Sequence, residues 1–458
     1  MEKNINMVVE HQRKFFNTKE TLDINKRIYY LKKLKSVILK YENEINQALY
    51  EDLGKSPSES YMCEVGLTLS ELSYQIKHIK RWSRAKRHIT DLTNFHGKSY
   101  SVFEPYGVVL VMAPWNYPFM LTMEPLIGAV AAGNCVVAKP SAYSPATSSI
   151  IKKILEQVFD DSYVAVVEGG RAENTELLEQ RFDYIFFTGG VNVGKLVMEK
   201  AAKNLTPVSL ELGGKSPCII DKTANLKLAA KRLAFGKYLN LGQTCVAPDY
   251  LLIEETVKEK FLNILIDTVK KMYGENPLEN QNYGKMINEK HYRRVMGLID
   301  ERKVILGGKG IEEQLRIEPT VLDNVTESDD VMQEEIFGPV LPVITYKEIN
   351  DAVQFIETRP HPLALYIFSN DRKVQKLFTE KVTFGGGCIN DTILHLATSR
   401  MGFGGVGNSG MGAYHGIKSF QTFSHEKSIL RKYNWIDMPM RYQPYTKIMD
   451  KLVRMFLK

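Results

Sequence analysis

Gly107-Val-Val-Leu-Val-Met112, followed at once by Ala113-Pro114-Trp115-Asn116-Tyr117-Pro118, is the stretch whose reading decides the fold. A short unbroken apolar run offers no polar face to solvent, so it reads as a parallel strand covered on both sides. The prolines end it and open a helical stretch that closes near Gly133. The same alternation continues downstream. Cys135-Val-Val-Ala138 is stopped by Lys139-Pro140, and a helix over about 145–159 leads to Tyr163-Val-Ala-Val-Val167. Another helix leads to Tyr184-Ile-Phe-Phe187 and then Thr188-Gly189-Gly190. Strand, helix and strand at these lengths predict a doubly wound α/β sheet. A second α/β region is expected from about Gly213 to Gly410, packed closely on the first because no flexible linker, repeat or low-complexity tract intervenes. Upstream, residues 22–53 and on to about 86 carry helical spacing, broken at Gly54 and Pro57, and residues 99–104 read as extended.

The chain has 458 residues, 44% hydrophobic and 25% charged, which suits a soluble globular protein of two or three domains. Its formal charge is +7. Lys32, Lys33, Lys35 and Lys40 lie opposite Leu31, Leu34, Ile38 and Tyr41 on one helix, a solvated face rather than a nucleic-acid patch. Five widely spaced cysteines with no Cys-x-x-Cys argue against a disulfide framework or zinc site and fit a reducing, cytoplasmic setting. Glu2 and Glu10 and the lack of an early apolar run argue against a signal peptide. Nothing approaches the ~18–20 apolar residues of a spanning helix, and no histidine and carboxylate share metal-ligand spacing, so no catalytic metal is expected.

Three segments carry chemistry. Thr188-Gly189-Gly190-Val191-Asn192-Val193-Gly194-Lys195 follows a strand and opens a helix, where glycines let backbone N–H groups approach phosphate. It nearly matches a P-loop, but Leu196 stands where Mg²⁺ needs a hydroxyl, and by itself it serves equally as a structural turn. Glu211, at the end of an apolar run beside Gly213 and Gly214, is either a surface carboxylate before a turn or a desolvated general base. Cys245 has polar, turn-like flanks (Gln243, Thr244, Ala247, Pro248) that suit an activatable thiol. Cys135, Cys218 and Cys388 read as small hydrophobes.

With these come Lys139-Pro140-Ser141, Glu334-Glu335-Ile336-Phe337-Gly338-Pro339 and Phe403-Gly404-Gly405-Val406-Gly407-Asn408-Ser409-Gly410. In this order and spacing, over residues 20–430, the chain resembles the aldehyde dehydrogenase superfamily, and most closely its class 3, fatty-aldehyde-like branch. That resemblance implies a Rossmann-like cofactor-binding domain (1–87 and 105–210), a second α/β catalytic domain (211–417), a small β-strand oligomerisation extension (88–104 and 418–435) and an amphipathic tail (436–458). It implies a homodimer.

The resemblance also implies roles. Cys245 attacks the aldehyde carbon, its backbone N–H and the Asn116 amide hold the oxyanion, and Glu211 activates the water that releases the acid. On the cofactor side, Lys139 meets the adenosine ribose, Gly189, Gly190 and Gly194 line the pyrophosphate, Glu335 holds the nicotinamide ribose with proton transfer as its alternative, Phe337 packs beside the nicotinamide ring, and Trp115 lines the cofactor channel. Tyr117, Thr244, Leu394, His395 and Phe403 are substrate-channel candidates, with His415 either supporting the site or structural. The cofactor is NAD or NADP. Three residues after Lys139, NAD-preferring relatives place a glutamate; here Ala142 removes both that acceptor and a charge that repels a 2′-phosphate.

The apolar channel candidates point to medium or long apolar aldehydes, fatty or isoprenoid (carotenoid-like), as the small-molecule substrate. In the tail, Ile448, Leu452, Met455 and Phe456 share one face, with Lys447, Lys451, Arg454 and Lys458 supplying charge. That face is expected to pack on the protein, with peripheral contact to an anionic membrane as the alternative. Two rival readings stand: a thioester resolved by coenzyme A instead of water, and a non-enzymatic binding or structural protein on the same fold.

Overall fold

A computed structural model describes residues 4–457. The strand Val108–Met112 is buried at every position and lies inside a six-stranded sheet. Cys135–Lys139 and Val164–Val166 follow on one side, and Tyr184–Thr188 and Val208–Glu211 on the other, all parallel. The chain therefore reverses its winding between Val108–Met112 and Tyr184–Thr188. At such a switch point the two following loops diverge and leave a crevice at the carboxyl ends of the strands. The loops here are Ala113–Tyr117 and Gly189–Gly190.

The edge beyond Glu211 is closed from far away in sequence. Gly410–Met411 pairs antiparallel with it, matching Gly410 to Glu211 and Met411 to Leu210. The expected second region, 211–417, thus gives its last strand to the first sheet. The rest of that region builds a seven-stranded sheet in the order Val304–Leu306, Thr320–Leu322, Val340–Tyr346, Tyr250–Glu254, Pro217–Ile220, Ala364–Phe368, Gly386–Ile389. Its first pairing is antiparallel and the others are parallel.

Among the upstream helices, Ile24–Lys40 buries Leu31, Leu34 and Ile38, the apolar face read from the spacing. A break at Tyr41 separates it from Glu42–Leu53. The helix Pro118–Ala132 is buried at every residue, as its nearly unbroken apolar sequence requires.

A third, three-stranded antiparallel sheet joins Lys86–His88, Gly97–Pro105 and Ser424–Lys432, the last two in a nine-residue register. The tail departs from expectation. No residue of the helix Lys447–Phe456 is buried, and Ile448 and Met455 are 73% and 62% exposed. Leu452 and Phe456 of its apolar face are half-buried, while Ile448 and Met455 are left uncovered by this chain. No helix among the described residues is long and apolar enough to cross a membrane.

Candidate active site

The nucleophile loop is built by an unusual turn. After the helix Leu226–Tyr238, Asn240 and Leu241 both adopt left-handed backbone (φ 51° each), and Gly242 continues it at φ 69°. A Cβ on Gly242 would sit 2.3 Å from the Gly338 carbonyl oxygen, so only glycine lets this turn lie against the Gly338-Pro339 segment. Gln243 locks the loop, donating to Asn240 O and Lys285 O and accepting from Ile287 N. Cys245 follows, half-buried.

Two cavities meet there, and Cys245 is the residue that lines both. The first, about 460 Å³, fills the switch-point crevice and is walled by Trp115, Asn116, Gly189, Glu211, Glu335 and Phe337. The second, about 110 Å³, is apolar, with Tyr117, Thr244, Leu394 and Phe403 in its wall. Candidates as far apart in sequence as Trp115 and Phe403 are thereby sorted onto two sides of one sulfur.

The electrostatics follow from dryness. Burial, with Glu335 and Glu211 adding like charge, pushes the Cys245 thiol up to about 12. Both Glu211 oxygens are buried without a hydrogen-bond partner, and burial holds its carboxyl well above the ordinary carboxylate range. Burial and then the Asp249 carboxylate push Glu335 up to about 8. One dry cavity thus holds a thiol that resists ionising and a carboxyl whose affinity for protons is raised, the combination a nucleophile and its base require.

Asn116 is 3% exposed and donates through Nδ2 to Gln243 O at 3.0 Å, leaving its second N–H for a ligand. Tyr117 shares a 2.7 Å hydrogen bond with the Thr244 hydroxyl. Trp115 meets Phe337 edge-on at 5.3 Å, and Phe337 itself has left-handed backbone (φ 49°). That strain is held by Asp249, which accepts from Ile336 N at 2.9 Å, and by Arg294, which bonds Ile336 O.

A third cavity of about 510 Å³ lies beside the crevice, and Val193 lines both. It contains Lys139, whose Nζ donates to Pro140 O and Gly169 O and is lowered to about 8 by burial. Ala142 and Arg171 share it. A Cβ at Gly190 would meet nothing within 4 Å, so open space fronts the helix Val191–Ala202. An anion-binding helix N-terminus between two cavities, an aromatic wall on one side and a lysine on the other fit a dinucleotide.

Three candidates do not line these three cavities. A Cβ at Gly194 would press within 2.6 Å of Leu212, so its smallness lets the helix approach the crevice wall closely. His395 turns toward Cys388 (3.6 Å) behind the channel wall. His415 is buried behind Phe403 and pairs with Glu124 at 3.0 Å. Residues with no signal in the sequence also line the cavities: His291 and Arg294 beside the crevice, and Met120, Phe235, Ile393 and Tyr414 in the apolar channel.

Comparison with known proteins agrees in one direction. The model of the aldehyde dehydrogenase family matches residues 1–429. The chain is 48% identical over 446 residues to a 4,4'-diaponeurosporen-aldehyde dehydrogenase of Staphylococcus aureus, covering 97% of each. It is 46% identical to a dimeric NADP-preferring aldehyde dehydrogenase of Rattus norvegicus, covering 94% of this chain and 95% of that one. A solved structure of Staphylococcus aureus AldH in a substrate-bound state superposes with a TM-score of 0.98 at 46% identity, over all of both chains.

Proposed function

The chain belongs to the aldehyde dehydrogenase family, whose members oxidise aldehydes, and on that premise we propose that Cys245 carries a thioester mechanism with Glu211 as its base. The observation that carries this reading is the placement of Cys245 at the junction of the crevice and the apolar channel. Cys245 passes its proton to Glu211, which returns it to solvent before the second half of the reaction, and the sulfur attacks the aldehyde carbon. The Asn116 amide and the Cys245 N–H receive the oxyanion, an interaction of about 3 kcal/mol per donor. Lys139, Gly189, Gly190 and Glu335 would hold NAD or NADP, with Trp115 and Phe337 as the aromatic wall, and the cofactor would accept the hydride lost as the oxyanion collapses to a thioester. Glu211 then takes a proton from water as that water attacks the thioester, and the carboxylic acid leaves while Cys245 regains its thiol.

Ala142 and Arg171 in the adenosine-side cavity support acceptance of a 2′-phosphate. The apolar channel supports medium or long apolar aldehydes, fatty or isoprenoid. A panel of kcat/KM values by aldehyde chain length, run with NAD and NADP, tests both points. The expected result is a rise with chain length and a ratio of NAD to NADP below about a thousand. Activity confined to short polar aldehydes would remove the substrate reading, and a larger ratio the cofactor reading.

The five free cysteines support a cytoplasmic setting. The exposed nine-residue strand Ser424–Lys432 supports a homodimer. The tail supports peripheral contact with an anionic bilayer, its exposed apolar stripe flanked by Lys447, Lys451 and Arg454. Full-length protein is expected to co-sediment with phosphatidylglycerol vesicles at low salt, and protein lacking residues 436–458 to stay in solution. Equal sedimentation of the two forms would sink the membrane assignment.

A further inference from the structure

We propose that Lys55 is a positioning residue for the oxyanion, clamping the Asn116 backbone with Glu64 so that the Asn116 amide stays aimed at the reacting carbonyl. This rests on the thioester reading above.

Lys55 follows the helix Glu42–Leu53, and Glu64 lies in the segment Tyr61–Val65. Both side chains are completely buried. Lys55 Nζ donates to Glu64 Oε1 at 2.5 Å and to the Asn116 carbonyl oxygen at 2.8 Å, and stands 4.0 Å from the centre of the Tyr117 ring. The other Glu64 oxygen accepts from Phe119 N (2.8 Å) and Met120 N (3.2 Å), the first turn of Pro118–Ala132. One ion pair thus grips the oxyanion loop at its carbonyl and at the helix that follows.

The grip continues to the nucleophile loop. Asn240 Nδ2 donates to the same Asn116 oxygen at 2.8 Å, and Asn240 N donates to Glu59 Oε1 at 2.9 Å. Asn116 Nδ2 is bonded to Gln243 O on that loop. The amide that receives the oxyanion is therefore fixed from its backbone by Lys55 and from its side chain by the segment bearing Cys245. A buried ion pair adds little stability over apolar residues of equal volume. What an apolar pair cannot do is hold a carbonyl oxygen in place. Misplacing a reacting group by about 1 Å costs on the order of a hundredfold in rate.

The test is a double-mutant cycle on the full-length enzyme, using Lys55→Met, Asn116→Ala and both together, with the best aldehyde and cofactor of the panel. Lys55→Met is expected to lower kcat by about 10- to 100-fold. KM for the aldehyde and cofactor affinity, read from NADH fluorescence, should stay within about threefold. In the Asn116→Ala background the same substitution should change kcat by less than about threefold, since the donor it positions is gone. Should Lys55→Met strand Glu64 and unfold the chain, Lys55→Met with Glu64→Met removes the clamp without leaving a lone charge, and the same coupling to Asn116 is expected. An equal penalty in both backgrounds overturns the clamp, as does an unchanged kcat. An Asn116→Ala enzyme of full activity overturns it by removing the oxyanion premise itself.

Discussion

Cys245→Ala abolishes aldehyde oxidation, with kcat/KM expected to fall by about 10⁴-fold or more, as removal of a covalent nucleophile does. No other thiol stands where the two cavities meet. Cys63 lines the apolar channel but not the crevice, and Cys388 lines neither. Cys135 and Cys218 are sealed in strands. Cofactor affinity should persist, because the crevice keeps Trp115, Phe337 and the front of the helix Val191–Ala202 when one sulfur is removed. NADH production and NADH fluorescence titration on the same preparation check the two halves. An alanine variant retaining more than about 1% of the activity would end the thioester reading.

The second large effect is at the base. Glu211→Gln should lower steady-state turnover by about 10²–10⁴-fold, the usual range for a general base. Proton transfer from the thiol is slowed too, with Glu335 left in the crevice as the other carboxyl, and hydrolysis of the thioester is expected to be slowed more. The variant should therefore release one equivalent of NADH in a burst and then stall, with an acyl group on Cys245 visible by mass spectrometry. The pH dependence has a definite sign. Burial raises the Glu211 carboxyl well above its ordinary value, so the base form appears only as pH rises through that raised value, and turnover climbs with pH. In Glu211→Gln that limb should be absent. A variant that turns over steadily with coenzyme A, at the wild-type rate, would instead assign the acceptor to that thiol.

How much of this was legible beforehand depends on what each residue has to do. The strand Val108–Met112 and its parallel neighbours were readable because a fully buried strand needs an unbroken apolar run, and these runs are too short and too closely bounded by Gly and Pro for helices. Cys245, Glu211 and Asn116 were readable through motif order, and the structure gathers them around one cavity. Gly194 is hard to read from sequence because the same residue type serves a phosphate's approach and close helix packing; its missing Cβ points at Leu212. Lys55 and Glu64 gave no signal, since a charged pair nine residues apart ordinarily lies in solvent. The tail is legible only in part: an amphipathic stripe says that something should cover it, and this chain covers Leu452 and Phe456 by half while leaving Ile448 and Met455 exposed.

The meeting of two cavities at a single sulfur has a consequence for how such an enzyme diverges. The crevice wall comes from Trp115, Gly189, Glu335 and Phe337, the channel wall from Met120, Phe235, Leu394 and Phe403, with Cys245 alone common to both among the described residues. Substitutions on walls that share no partner act on free energies that add. Aldehyde preference can therefore drift over generations, one channel residue at a time, while the redox half of the molecule is inherited unaltered.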